Sequence, residues 1–210
     1  IRFQLFNKEN TGVSDTRNFA ISKAKGEYIL PLDSDDLIGK DYLLEAIKIF
    51  SKNPNTTLVY CKAKYFGDKS GVYKLSEYKY EDLIVNNSIF STAMFKKSDF
   101  LNTKGYDKNL VHGLEDWEFW IQLLNKNSIV YKINNFHFYY RIRPNSRNTL
   151  HNDNEKINDI HNYIFEKHKD KYYSLLFQNQ AKLYALNSIF SDLKKFELVK
   201  KSIFYKLYKI

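Results

Sequence analysis

One cysteine, Cys61, has no partner in the chain, so an internal disulfide is excluded, and the usage fits a reducing, cytoplasmic setting. No apolar run approaches the roughly 20 residues that span a bilayer. Lys, Asn or Asp interrupts each one first, so neither a transmembrane helix nor a signal peptide is expected within these residues. No methionine opens the chain, so a segment upstream of Ile1 is expected. Beyond Asp153 there is neither glycine nor proline, and apolar residues recurring at three and four predict two or three helices there. Internal repeats and low-complexity tracts are also missing.

What remains is a chain of 210 residues with 43% hydrophobic and 27% charged residues, enough to bury a core as one domain with an appendage. The net charge is +9 and the pI near 9.3. Such a balance favours an anionic partner, whether nucleotide, nucleic acid or acidic membrane, without choosing among them. The 17 Tyr and 16 Phe fit the codon usage of an AT-rich genome better than an aromatic binding surface.

Residues 2–6 alternate as a strand does. The next helix is expected to be capped by Ser14, to bury Phe19, Ala20 and Ala24, and to stop at Gly26. A strand over 27–32 then completes a parallel crossover. Tyr42, Leu43, Ala46, Ile47 and Phe50 recur at helical spacing before Pro54. Strands are expected over 57–65, 91–96, 129–133 and 137–142, and a short helix over 80–86. Leu114, Trp117, Trp120, Ile121 and Leu124 mark a strong amphipathic helix.

The apolar run at 27–32 delivers Asp33, Asp35 and Asp36 to one strand end. Carboxylates this close repel unless a cation, a helix N-terminus or water offsets them, and hard oxygen ligands suit Mg²⁺ or Mn²⁺. A calcium-loop pattern fails, because Ile38 stands at its sixth position and Leu44 at its twelfth. An acidic turn with Asp36 capping the next helix is the plainer alternative.

Three separated segments share one resemblance. Asn10 to Asn18 continues through Ala20, Ala24, Gly26 and Glu27 into the acidic turn. Gly113-Leu114-Glu115-Asp116-Trp117-Glu118-Phe119-Trp120 opens a helix, and Tyr139-Tyr140-Arg141 precedes Asn145 and Ser146. Together they resemble the inverting glycosyltransferases of family 2 over roughly the first 145 residues. The resemblance implies an α/β GT-A fold: a mixed, mainly parallel, Rossmann-like sheet flanked by helices, with a C-terminal helical appendage. The catalytic domain would be residues 1–147 and the helical region 148–210. The family's opening strand and first nucleotide-contacting loop would lie upstream of Ile1.

The resemblance also implies chemistry. Transfer would run from a nucleotide-diphosphate sugar, UDP-linked, to a hydroxyl of a glycan or lipid-linked acceptor in bacterial surface polysaccharide assembly. A divalent metal, Mn²⁺ or Mg²⁺, would be held by Asp35 and Asp36, and the donor by Asp33, Ser34, Asn10 and Arg17. Asp116 would be the base. Inversion needs a carboxylate within reach of the attacking hydroxyl, and the apolar stripe would leave Asp116 facing a cleft. Alternatively, Glu115, Asp116 and Glu118 simply complement the helix N-terminus.

Arg17 either holds phosphate, organises the acidic turn or makes a surface ion pair. Glu115, Arg141, Arg143 and His112 are candidates for diphosphate or acceptor contacts. Arg143 stands where family members commonly place a histidine. The lysine-rich amphipathic stretch 193–210 either packs on its own domain or lies on the inner face of the cytoplasmic membrane. No nucleic-acid partner is expected, since acidic residues occupy the most motif-like loops. A catalytically silent nucleotide-sugar-binding or scaffolding module of the same fold is the alternative function.

Overall fold

The computed structural model describes residues 3–144 and 154–192, with side chains described through residue 144 and from 156 to 177. Its centre is β3 (Thr56–Gly67), a β-branched and aromatic run, paired in parallel with β6 (Ile129–Ile142) along its whole length. This is the longest ladder of a mixed sheet ordered β1-β5-β3-β6-β2, with β4 (Gly71–Tyr73) added to β3. The edges are short and antiparallel. β1 (Tyr28–Ile29) pairs with β5 (Met94–Lys96), and β2 (Leu37–Ile38) pairs with β6.

Helices cover this sheet. α2 (Tyr42–Lys52) packs on β3 and β6, α3 (Tyr80–Val85) meets α5 (Glu115–Leu123), and α4 (Lys97–Leu101) follows β5 directly. α2 buries Tyr42, Ala46 and Phe50, as its spacing predicts, whereas Leu43 and Ile47 face outward. α5 buries Trp117, Phe119, Trp120 and Ile121 completely or nearly so. Each such side chain contributes about 1.5–3 kcal/mol of transfer free energy. Both indole N–H groups are satisfied, donating to the carbonyls of Leu83 at 2.7 Å and Ile89 at 3.1 Å.

The front of the chain departs from expectation. Residues 3–6 form no strand, and Phe3 and Leu5 are 80% and 75% exposed. A strand needs a neighbour to take its backbone hydrogen bonds, and no described strand pairs with them, so the expected crossover is not formed among the described residues. α1 (Val13–Lys23) is capped by Gly12 at φ 93 rather than by Ser14, and ends at Ala24 rather than Gly26. Its buried face is Ser14, Arg17 and Ile21, not Phe19, Ala20 and Ala24.

Two further differences follow from the sheet. The strand expected over 27–32 is confined to Tyr28–Ile29 because β5 offers only Met94–Lys96. The strand expected over 91–96 is itself only these three residues long, since β1 and β3 between them pair only with Met94, Phe95 and Lys96. The two strands expected at 129–133 and 137–142 are one, β6, because Asn134 and Asn135 are absorbed where the register slips between Ile133 and Phe136.

α6 (Asn154–Asp192) is interrupted at His168, whose φ of −119° and ψ of 19° are not helical. The chain divides there into compact units, one ending at Lys167 and one beginning at His168. The boundary expected near Arg147 and the basic stretch 193–210 lie outside the described residues. In the first unit, Ile160 and Ile164 are buried, and Lys167 pairs with the fully buried Glu118 at 2.9 Å. Tyr163 donates to Asp107 at 2.8 Å. This fastens the start of α6 to α5. Among the described residues no helix is long and apolar enough to cross a membrane.

Candidate active site

A cleft of about 1320 Å³ opens beyond the end of β1, at the carboxyl end of a strand where open α/β sheets bind ligands. Asn10 and Arg17 line it from α1 and the loop before it, and Asp33, Ser34 and Asp35 from the turn after β1. Glu115 and Asp116 line it from the start of α5, and Arg141 and Arg143 from the end of β6. His112 is exposed and is not among the lining residues.

Arg17 joins two of these groups. It is only 9% exposed, and its guanidinium donates to Glu115 Oε1 at 2.9 Å and to both Asp33 oxygens at 2.9 and 3.2 Å. The Tyr106 ring lies 5.4 Å from it. Burial opposes the charge of Arg17, but Asp33, Tyr106 and Glu115 outweigh it and raise its pKa above the usual value. A charged α1 side chain can therefore be buried because carboxylates 16 and 98 residues away meet it. Of the three readings of Arg17, the geometry supports the one in which it organises the acidic turn.

The neighbouring Asn18 pins the loop before α5. Its amide donates to the Tyr106 carbonyl and accepts from the Tyr106 N–H, both at 2.8 Å. Gly105, at φ +70, leaves room for it, since a Cβ there would lie 2.7 Å from Asn18 Oδ1.

The three aspartates of the turn have different surroundings. Asp33 is held by Arg17. Asp35 pairs with the largely exposed Arg143, while its carbonyl accepts from Arg141 Nε at 2.8 Å. Asp36 is turned away from the cleft. Its carboxylate is 7% exposed and accepts the Arg141 backbone N–H at 2.8 Å, pegging the turn to β6. Burial, only partly offset by this bond, raises its pKa to about 6. It does not cap α2, whose N-cap is Asp41.

For a divalent ion, Asp33 and Asp35 are the cleft-facing carboxylates of the turn. Among the described residues no three His, Cys, Asp or Glu side chains gather as a metal cage. One or two carboxylates with the rest of the shell from phosphate and water is the usual arrangement for Mg²⁺, so the donor set fits. Asp35 fits best, because its arginine partner is a surface one, whereas Asp36 would have to give up its bond to β6.

Asp116 stands at the first turn of α5. Its Oδ1 accepts from the Trp117 N–H at 2.7 Å and, at the limit of bonding distance, from Asn87 Nδ2 at 3.5 Å. Burial first, then the adjacent Glu115, push its pKa up to about 6, while Arg17 works against them. A carboxylate so placed is ionised at neutral pH yet basic enough to take a proton. The loop feeding it is strained: Gly113 has φ 122, and Leu114, an ordinary side chain, has φ 60.

Asn87, Tyr73, Tyr106 and Asn18 were not singled out by sequence reasoning. Asn18 lies within the Asn10 to Asn18 segment, so a signal for it existed. The other three sit in stretches with no motif.

A family model described as Glycosyltransferase like family 2 matches residues 3–143. An uncharacterised glycosyltransferase of Methanocaldococcus jannaschii is 30% identical over 152 residues, covering 69% of this chain and 51% of that protein. The poly(ribitol-phosphate) beta-N-acetylglucosaminyltransferase TarP of Staphylococcus aureus is 31% identical over 195 residues, covering 89% and 59%. Among solved structures, S. aureus TarS 1-349 in complex with UDP-GlcNAc superposes with a TM-score of 0.56 at 22% identity, covering 69% of this chain and 43% of that one. The chain spans about half the length of the curated relatives it matches.

Proposed function

Because the chain belongs to the glycosyltransferase-like family 2 and has the GT-A fold, we propose that the protein transfers a sugar, with inversion, from a UDP-sugar to a hydroxyl of a glycan or glycolipid acceptor. The setting would be surface polysaccharide assembly. The observation that carries this reading is the Arg17 bridge, which holds the acidic turn and the start of the Asp116 helix on one cleft. The UDP choice draws on TarS, solved with UDP and with UDP-GlcNAc.

In the reaction, the acceptor hydroxyl gives its proton to Asp116 as its oxygen bonds to the anomeric carbon. The bond from that carbon to the diphosphate breaks on the opposite face, and its electron pair leaves with the nucleotide. Asn87 and the Trp117 N–H hold the Asp116 carboxylate, and the packed indoles keep α5 rigid behind it. Arg143 is available to the diphosphate once Asp35 is otherwise engaged. A Mg²⁺ or Mn²⁺ ion held by Asp35, with Asp33 nearby, would neutralise charge on the leaving diphosphate.

Calorimetry of the full-length protein with UDP and UDP-GlcNAc, with and without Mn²⁺, tests the donor side. Metal-dependent binding is expected, and it should weaken in Asp35→Asn. A protein that binds neither nucleotide under either condition is not this transferase.

A further inference from the structure

A second cavity, of about 340 Å³, opens on the sheet beside the cleft, and its lining has a different character. Lys62, Lys74 and Lys132 line it together with Tyr73, Phe90 and Phe136. Its position follows from strand pairing. On one side β3 meets β5 through Leu58 and Val59 and meets β4 through Ala63 to Tyr65, so the edge between those ladders is left for the cavity. The ring of Phe136 carries the Nζ of Lys62 at 5.7 Å and of Lys64 at 4.6 Å. Glu77 meets Lys132 at 2.8 Å but is itself 80% exposed. Such a surface pair is readily exchanged for a ligand anion.

Tyr73 and Phe90 line both this cavity and the cleft that holds Asp116. One aromatic wall therefore separates a cationic cavity from the base. Tyr73 is packed within that wall, 4.8 Å from the Tyr65 ring and 5.9 Å from Tyr140. Of the arginines lining the cleft, Arg17 is held by Asp33 and Glu115, Arg141 is bonded to the Asp35 carbonyl, and Arg143, paired with Asp35, is assigned to the donor diphosphate above. The lysines beyond the wall add positive charge on the other side of Tyr73 and Phe90.

We infer that the lysine-lined cavity is an acceptor subsite for an anionic chain, whose phosphodiester or carboxylate groups seat among Lys62, Lys74 and Lys132 while a neighbouring hydroxyl passes Tyr73 to Asp116. This rests on the transferase reading above and names the acceptor class for it. The aromatic wall gives the apolar faces of sugar or polyol units a surface to pack on, and the lysines set the charge.

The test titrates the full-length protein with three oligomers of equal length: a polyol phosphodiester, a uronate-containing oligosaccharide and a neutral oligosaccharide. Two triple variants accompany the wild type, Lys62→Gln/Lys74→Gln/Lys132→Gln at the cavity and Lys25→Gln/Lys48→Gln/Lys52→Gln at exposed sites elsewhere. Both lose three charges. One or both anionic oligomers should bind the wild type and the remote variant more tightly than the neutral one, and the cavity variant should lose about tenfold. Which anionic oligomer binds better identifies phosphodiester or carboxylate. Replacing the three cavity lysines by arginine should retain the affinity. Equal losses in the two glutamine variants, or neutral and anionic oligomers binding alike, would overturn the subsite. UDP affinity, measured alongside, should be the same in all variants; its absence from the wild type defeats the transferase reading instead.

Discussion

The acidic turn at 33–36 and the helix at 115–123 face each other across one cleft, but they are held by opposite means. The turn sits between two-residue strands, and its carboxylates are fixed by arginines and a backbone N–H. The helix is fixed by fully buried aromatic side chains and a buried glutamate paired to Lys167. Charge pairs can exchange partners when a diphosphate or cation arrives, whereas close-packed rings cannot shift without cost. The side proposed to hold the donor is therefore adjustable and the side bearing the proposed base rigid, which suits a reaction in which the donor carries the charge and the hydroxyl needs orientation.

The largest effect should come from breaking the rigid side chemically. Asp116→Asn keeps the shape of the carboxylate and removes its basicity, so transfer should fall about 100- to 10000-fold while UDP-sugar affinity stays unchanged. Normal turnover by this variant would remove Asp116 from the reaction.

Next is the bridge between the two regions. Arg17→Gln removes the guanidinium that bridges Asp33 and the buried Glu115, and removing one partner of a buried pair costs about 3–5 kcal/mol. A chemical denaturation curve reads this loss, and a drop below 1 kcal/mol would mean that the bridge does not support the fold. Arg143→Gln is the matched control on the exposed pair with Asp35, expected to change stability by about 1 kcal/mol or less.

A smaller effect is carried by pH. Asp116 accepts a proton only when ionised, and its pKa is raised to about 6. Hence kcat/KM should be full above that pH and fall as pH drops through about 6. Arg17 lowers this pKa, so in Arg17→Gln the acidic limb should move to higher pH. A limb that stays in place would show that the two regions are not electrostatically coupled.

How much of this could be read in the sequence also divides along that comparison. The rigid side was legible: Trp117, Trp120 and Ile121 state a helix by spacing, with Leu114 and Leu124 of the same stripe falling at its two caps, and the acids at its start are adjacent in the chain. The motifs likewise indicated that Asn10, Arg17, Asp33 to Asp35 and Asp116 belong together, and all of these line the cleft. The adjustable side was not legible in detail. Arg17 reads equally as a phosphate holder, an organiser of the acidic turn or a surface ion pair until Glu115 is placed beside it, and Asp36 reads as a ligand or cap until the Arg141 N–H arrives from 105 residues away. Local pattern also misled where neighbours set the length: residues 27–32 are strand-like throughout, but pairing is available to only two of them. The lysine cavity was invisible, because Lys62, Lys74 and Lys132 meet only after β3, β4 and β6 assemble.

The chain's only two tryptophans, Trp117 and Trp120, both lie on α5. Ultraviolet emission excited at the indole band thus comes from a single helix, one residue from the proposed base. In the native protein both fluorophores are shielded from water and hydrogen-bonded to carbonyls, so their light should be blue-shifted. A red shift would then register solvent entering behind Asp116. Without label or substitution, the protein carries an optical gauge of whether the helix bearing Asp116 is seated, readable in the same cuvette as any ligand titration.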